Sequence, residues 1–270
     1  SSFSTEDASG STSQAAGVVE GIEAGTSLFL IDEDTSATNF MVRDEFMQEV
    51  IRREKEPITP FLERAGDLYE KAGISTILVA GSSGAFFYIA HKILQMDCYR
   101  PVDITERVKK LCREYKAPRT QAPGFFLPEF QMPLVFHNAE KNNRDRGISR
   151  RGNERGGRYG RGGQENGSVR ERKKIKTLGK DQFSIDRETV DLRYAEQLAD
   201  GEQTAALAYL LRFALEQGKE GEKTMRQTVE LLWKTLETRG WEPFCSSYVP
   251  CGLAKPRKQE IFACLNRYRG

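Results

Sequence analysis

ASGSTSQAAGVVEGIEAGTSLFLIDEDTSATN, residues 8–39, is the stretch of sequence that decides the fold. Its second half contains an uninterrupted apolar run, residues 28–31, which predicts a strand of a parallel sheet that is buried on both faces. Asp32 and Glu33 follow directly, where two acids are costly unless they face a cation or polar partners. In phosphate-handling folds an acid at this position holds Mg²⁺. The alternative is a surface acid pair that closes an ordinary strand.

The first half of the stretch predicts an anion-binding loop. Ser9, Gly10 and Ser11 are small and polar, and they open a predicted helix with its apolar residues on one face. The start of a helix offers free backbone N–H groups and the positive end of the dipole, which together suit a phosphate. The sequence therefore places an anion-binding loop one helix upstream of a metal-binding strand.

These residues resemble two motifs of the ABC ATPases. Ser9 and Gly10 match the Ser-Gly of the signature motif Leu-Ser-Gly-Gly-Gln, and residues 29–33 match the Walker B motif. Asp32 follows Ser9 by 23 residues, the usual spacing in these ATPases, and residues 35–37 continue as their D-loop does. The chain departs from the signature at residues 8, 11 and 12, and it has Asn39 where a D-loop aspartate would stand.

Alternating helices and strands continue to residue 116 and predict an α/β sheet. Helices are expected over residues 40–54, with Met47, Val50 and Ile51 inward, and over 61–72 and 103–115. A strand is expected over residues 75–80, and by the ABC resemblance residues 90–96 correspond to the next core strand of the family.

The first of these two strands ends in Gly-Ser-Ser-Gly, and by the ABC resemblance Ser82 takes the position of the switch histidine that senses the γ-phosphate. Three interpretations stay open. The Ser82 hydroxyl or backbone N–H replaces the imidazole, hydrolysis is slow, or the turn has no catalytic role.

Two segments without helix or strand pattern follow. Residues 117–137 are rich in Pro and Phe and predict an extended linker laid against apolar surface. Residues 138–174 alternate Arg and Gly with almost no apolar residues, so we expect a disordered, basic insertion. Arginine planes and a tyrosine attract phosphates and stack on bases, which predicts RNA binding. The candidate RNA-binding residues are Arg150, Arg151, Arg155, Arg158, Tyr159 and Arg161. The alternative is a solvated insertion without a ligand.

Residues 175–270 predict a mostly helical C-terminal domain. A short strand pair, or an entry from strand to helix, is expected around residues 183–192, followed by helices near 201–217, 222–239 and 255–268. The last helix is basic, which indicates a solvated or subunit-facing surface more than an RNA site.

Composition and missing motifs limit the class of protein. The chain has 270 residues and a net charge of +2, and it contains no run of 18 apolar residues, so no membrane span is expected. This absence alone leaves open an ABC transporter subunit that docks on a separate membrane partner, but the expected partners include no membrane. Five widely spaced cysteines without C-x-x-C favour a reduced compartment, and two histidines offer little for a metal site. No G-x-x-x-x-G-K-[ST] motif occurs, so we expect the chain to be the C-terminal half of a longer protein.

Further segments extend the resemblance to nearly the whole chain outside residues 138–174, and the chain is similar to the predicted ATPases of the ABC class, common in bacteria. With the arginine-glycine insertion it resembles the ABC-fold ATPases of the kinetoplastid mitochondrial RNA-binding complex, which are accessory factors in RNA editing. The implied fold is the C-terminal part of an ABC-ATPase (P-loop NTPase) α/β sheet, followed by a mostly helical domain.

The resemblance also implies a mechanism. Two copies form a head-to-tail homodimer that binds ATP and Mg²⁺. Asp32 holds the metal and Glu33 orients the attacking water. Ser9 and Gly10 cap the γ-phosphate across the interface, and Ser11 and Ser82 are further nucleotide-binding residues. The implied partners are RNA and other proteins of the mitochondrial complex, and the implied location is the mitochondrion.

The alternatives to an RNA-remodelling ATPase are an RNA-binding scaffold with a degenerate or slow ATPase, and a DNA-repair-type ABC ATPase. The absence of a long heptad pattern disfavours the latter.

Overall fold

The computed structural model describes residues 5, 7–52, 55, 58–119, 122–127, 173–195, 198–217 and 223–268. The chain forms two compact units, residues 1–130 and residues 131–270, which we call the N-terminal and the C-terminal unit. The end of the predicted linker and residues 138–172 of the predicted insertion lie outside the described residues. The six candidate RNA-binding residues therefore lie outside them as well.

The N-terminal unit contains short helices and two small sheets. In chain order its elements are α1 (Gly10–Glu23), β1 (Leu28–Asp32), α2 (Thr38–Met41), α3 (Glu45–Val50), α4 (Leu62–Ala72), β2 (Ser75–Val79), a 3₁₀ helix (Gly84–Tyr88), β3 (Leu94–Asp97), β4 (Arg100–Asp103) and α5 (Thr105–Glu114). Strands β1 and β2 pair in parallel, with Leu28 opposite Ser75 and Asp32 opposite Val79. The acids that follow β1 therefore lie beside the loop that follows β2.

The prediction that the first strand is buried on both faces is wrong. Phe29 and Ile31 pack against the core, whereas Leu30 is 73% exposed and Ile77 on the neighbouring strand is 59% exposed. The described helices cover one face of the β1–β2 pair only, so alternate residues are left in solvent. A run of apolar residues cannot distinguish a strand covered on one face from a strand covered on both, because the sequence pattern is the same in the two cases.

The core of the N-terminal unit lies between α1, α4 and the inner face of the sheet. Its buried residues are Phe40, Met41, Phe61, Leu62, Leu68, Ile74 and Phe86. At Gly21 a Cβ atom would lie 2.9 Å from the Phe29 ring, so glycine lets α1 approach β1 closely.

The predicted helix over residues 40–54 is wrong as one element. The chain forms α2, extends at Val42, and begins again as α3, where the Asp44 carboxylate caps Met47 N–H at 2.7 Å. Met47 and Val50 are exposed instead of inward, and Phe40 is buried in their place. An aspartate side chain that satisfies the first amides of a new helix competes with a continuous helix at this position.

The predicted core strand over residues 90–96 is also wrong. The strand β3 begins at Leu94 and pairs with β4 in an antiparallel hairpin, and both strands are exposed along their whole length. Cys98 and Tyr99 form the turn with φ of 46° and 63°, the left-handed geometry of a two-residue hairpin. The hairpin forms without a packed layer on either face, so apolar residues in β3 and β4 do not show that these strands are buried.

The C-terminal unit combines helices with a small antiparallel sheet. Its elements are β5 (Ile175–Thr177), β6 (Gln182–Ile185), β7 (Glu188–Asp191), α6 (Gly201–Gln217), α7 (Met225–Arg239), a 3₁₀ helix (Glu242–Phe244) and α8 (Lys258–Arg267). The helices α6 and α8 pack on the sheet, and α7 packs against those two helices. The three predicted helices and the predicted strand pair are confirmed, and β5 adds a third strand.

The core of the C-terminal unit contains the inner residues of this sheet. Phe183 and Val190 are fully buried, and α6 packs against β5 and β6. The first turn of α7 is closed by a reciprocal capping box between Thr224 and Gln227. In the part of the chain that the structure describes, no helix combines the length and the apolar character needed to cross a bilayer.

Candidate functional site

The N-terminal end of α1 presents free amides, as an anion site requires. Ser9 is the N-cap, and its hydroxyl accepts a hydrogen bond from Thr12 N–H at 3.3 Å. The first hydrogen bond of the helix runs from Ser13 N–H to the Ser9 carbonyl at 2.9 Å. The N–H groups of Gly10 and Ser11 precede this bond and lie at the positive end of a 14-residue helix. These two amides can therefore receive a phosphate oxygen, while the Ser9 hydroxyl serves the cap.

Gly10 is not required by the packing of its own unit. A Cβ atom there would lie 3.9 Å from the Cβ of Ala37, an ordinary contact. Because Gly10 has no Cβ atom, the surface of the loop stays open toward solvent, and a ligand or another chain can approach the backbone closely.

Asp32 lies at the end of β1 with an exposed carboxylate. Its Oδ1 accepts from Asp34 N–H at 3.2 Å, and its Oδ2 accepts from the Thr35 hydroxyl at 3.1 Å. A carboxylate has about four lone-pair sites, so each oxygen can still bind a hydrated cation. The described residues contain no group of three or more His, Cys, Asp or Glu that could hold a metal ion. The single exposed carboxylate of Asp32 is compatible with Mg²⁺, which needs one or two carboxylates when waters and phosphates supply the remaining ligands.

Glu33 is bound by the loop that follows β2. Its Oε2 accepts from the backbone N–H groups of Gly81, Ser82 and Ser83 at 3.0, 3.1 and 3.3 Å. Its Oε1 accepts from the Ser82 hydroxyl at 2.9 Å. Desolvation raises the pKa of Glu33, but the hydrogen bonds from Ser82, Ser83 and Gly81 together outweigh it and lower the pKa. Glu33 is therefore a stable anion in a ring of donors.

Of the predicted site residues, the structure brings Glu33 and Ser82 into direct contact. Sequence reasoning missed the amides of Gly81 and Ser83, because a backbone donor has no side-chain signature. Gly81 also permits a close approach by Asp34, whose carboxylate oxygens would lie 3.1 Å from a Cβ atom at that position. The small residues of this loop could have indicated an amide-rich turn, since Gly and Ser favour such geometry.

Gln14 is a second residue that sequence reasoning missed. Its Nε2 donates to the Ser36 hydroxyl at 2.8 Å, and its Oε1 accepts from Ala37 N–H at 2.9 Å. The Ser36 hydroxyl in turn donates to the Asp32 carbonyl at 2.6 Å. Gln14 thus joins the helix that begins at the anion-binding loop to the segment that follows the two acids. Its place one turn after Gly10, on the same face of α1, is the signal that could have found it.

The basic residues near α8 are largely paired within the C-terminal unit. Lys255 contacts Glu237 at 2.5 Å and lies 4.4 Å from the centre of the Trp233 ring. Lys258 contacts Glu230 at 2.8 Å. Because these charges are already compensated, this surface attracts a phosphate backbone less than its sequence indicates.

The five cysteines all lie in the described residues and form no disulfide, and Cys264 is fully buried in α8. Burial raises the pKa of the Cys264 thiol to about 12, so it stays protonated near neutral pH.

Comparison with protein families gives two matches. Residues 1–132 match the model of the ABC ATPase P-loop domain, and residues 174–270 match the model of the MRB1590 C-terminal domain. Together they confirm the resemblance inferred from the signature and Walker B residues. A comparison with curated protein sequences gives no match.

Proposed function

Since the chain carries the P-loop domain of the ABC-class ATPases and resembles the C-terminal half of the MRB1590 protein, we propose that it is an ATP hydrolase that also binds RNA. ATP-driven closure of a head-to-tail homodimer changes how the protein holds RNA. The name of the second family supports a place in a mitochondrial RNA-binding complex that serves RNA editing.

One observation carries the ATPase proposal. Gln14 ties the segment after Asp32 and Glu33 to the helix that opens at Ser9, so the two predicted motifs form one connected surface. An acid pair on an ordinary strand end would need no such connection. The arrangement fits a nucleotide site in which the position of one motif depends on the other.

The residues of the chain divide the work of phosphoryl transfer. Asp32 holds a hydrated cation through its exposed carboxylate, and Glu33 orients water once its carboxylate is free to accept. The amides of Gly10 and Ser11 bind phosphate oxygen at the start of α1. The exposed Asp32 carboxylate would hold Mg²⁺, and the ion would supply positive charge that offsets the negative charge of the phosphate groups. Positioning and electrostatics supply most of the rate enhancement in this class of reaction.

The RNA part of the proposal is supported by composition and by the second family match. The insertion over residues 138–174 is rich in arginine, and Tyr159 offers a ring for base stacking. The paired lysines near α8 make that helix a weaker candidate for the RNA surface. We therefore assign RNA binding to the insertion.

A specific observation favours a second candidate function, an RNA-binding scaffold with a degenerate or slow ATPase. Ser82 stands at the switch position, and the carboxylate of Glu33 is engaged by four donors. A slow enzyme and a scaffold are separated by measuring ATP turnover with and without RNA on the full-length protein.

A substitution at Glu33 tests the proposed ATPase function. We expect Glu33→Gln in the full-length protein to keep ATP binding and to lower turnover at least about 100-fold, because the neutral amide cannot polarise water. The readouts are equilibrium ATP binding and steady-state phosphate release. Glu20→Gln, on the far part of α1, is the matched control and keeps normal turnover. Wild-type turnover in Glu33→Gln would contradict the proposal.

A further inference from the structure

The loop of residues 81–83 directs its three backbone N–H groups and the Ser82 hydroxyl at one side chain. Three consecutive backbone N–H groups converge on Glu33 Oε2 at 3.0 to 3.3 Å, and the hydroxyl of Ser82 reaches Oε1 at 2.9 Å. Consecutive amides that point to one spot form an anion-binding concavity. In this structure the anion is the protein's own carboxylate.

The donor side of this contact is fixed in place. The Ser83 hydroxyl accepts from Ala85 N–H at 3.3 Å and so caps the 3₁₀ helix that follows. That helix carries Phe86, which is 5% exposed and belongs to the core of the N-terminal unit. The Glu33 backbone is also fixed, since its N–H donates to the Val79 carbonyl at 2.9 Å. The Glu33 side chain is consequently the part that can move.

A carboxylate in this state accepts a further donor poorly. It offers about four lone-pair sites, and three donors already crowd Oε2 while a fourth uses one site of Oε1. The negative charge is shared among four donors, so an additional water is attracted only weakly. A residue that must accept a hydrogen bond from an attacking water cannot do so well from this position.

We propose that the 81–83 loop holds Glu33 in a resting position, and that Ser82 is a positioning residue that restrains turnover. The Glu33 side chain leaves the loop before it orients water, and the vacated amides are then available to an anion such as a phosphate oxygen. The inference rests on the proposed ATPase function. It assigns to Ser82 an action on Glu33 that differs from direct sensing of the nucleotide.

The kinetic test compares substitutions at Ser82 in the full-length protein. Ser82→Ala removes the hydroxyl and keeps the backbone N–H, so we expect kcat to rise about three- to tenfold with KM for ATP within about twofold of wild type. Ser82→Thr keeps the hydroxyl, so we expect this variant to have the kcat of the wild type. Ser75→Ala, an exposed serine at the start of β2, is the control and leaves both constants unchanged.

A second readout does not depend on turnover. Amide hydrogen exchange at residues 81–83 in the nucleotide-free protein reports the contact with Glu33 directly. We expect Glu33→Ala to speed this exchange at least about tenfold, because the three amides lose their acceptor. Unchanged exchange in Glu33→Ala would show that the carboxylate does not occupy the loop, and would overturn the inference.

The outcomes separate this inference from the function on which it rests. If Glu33→Gln leaves turnover unchanged, the proposed ATPase role of Glu33 fails and the restraint fails with it. If turnover depends on Glu33 but Ser82→Ala is as fast as wild type or slower, the restraint alone is overturned. A higher kcat in Ser82→Ala together with a wild-type kcat in Ser82→Thr supports the restraint. Replacing a purely structural serine would lower stability without raising kcat.

Discussion

At the scale of single residues, the site depends on side chains that connect backbone segments. Glu33 joins the end of β1 to the loop after β2, and Gln14 joins α1 to the segment that follows the acids. The hydrogen bonds of Gln14 are partly buried, where they contribute more than in full solvent, whereas most of those of Glu33 are exposed. The chemistry of the site is thus set by a few bridging contacts as well as by its motifs.

The Gln14 bridge makes a prediction at this scale. Gln14→Ala leaves Ala37 N–H without its acceptor and removes the donor to the Ser36 hydroxyl, which keeps its bond to the Asp32 carbonyl. We therefore expect the free energy of unfolding to fall by about 1–2 kcal/mol. Gln14→Glu keeps an acceptor for Ala37 N–H and loses the donor, so its loss should be about half as large. Denaturant unfolding monitored by circular dichroism measures both. Wild-type stability in Gln14→Ala would show that the bridge contributes nothing.

At the scale of elements, short capping and turn contacts decide where helices and strands begin. Asp44 begins α3, and the capping box at Thr224 begins α7. After β7, Arg193 folds back on Asp191 and contacts its Oδ2 at 2.6 Å. Such contacts lie within a few residues of one another, so local sequence carries their signal even where the burial of the element is unpredictable.

The Asp191 contact predicts a pH dependence. Hydrogen bonds and charge from Arg193 lower the pKa of Asp191, which partial desolvation opposes. A lowered pKa in the folded state stabilises the protein above the ordinary aspartate pKa of about 3.9, and this contribution is lost as the pH falls through the lowered value. We therefore expect Arg193→Gln to raise the pKa of Asp191 and to destabilise the protein near neutral pH.

Carboxyl NMR titration and thermal unfolding at several pH values measure these two effects. The stability difference between wild type and Arg193→Gln should disappear at a pH below the pKa of Asp191 in both the folded and the unfolded state. A difference that is constant across the whole pH range would contradict the linkage.

At the scale of the whole molecule, an old scaffold and a basic insertion combine in one chain. The N-terminal unit carries the candidate nucleotide residues, and the C-terminal unit contains three helices and a small sheet with its own core. In the sequence, the arginine-glycine segment that we assign to RNA comes between the described parts of these units. Two functions in separate segments of one chain can be tested by removing one of them.

Deletion of residues 144–174 should weaken RNA binding at least about tenfold and leave ATP binding intact, since the removed arginines supply the phosphate contacts. A shuffled insertion of the same composition is the control and should retain affinity and its steep salt dependence, because recognition by charge and stacking is tolerant of order. Fluorescence anisotropy with labelled single-stranded RNA measures both. Unchanged binding after the deletion would assign RNA to another surface.

The sequence by itself predicted the two strands that become β1 and β2 and the three C-terminal helices, because periodicity within one segment is set by local physics. The signature and Walker B residues came from the resemblance to the ABC ATPases. Only the tertiary structure decided that β1 is covered on one face, that residues 40–50 form two helices, and that Glu33 is bound by the 81–83 loop. Those features depend on which distant segments meet, such as residues 33 and 82, and no local pattern encodes that meeting.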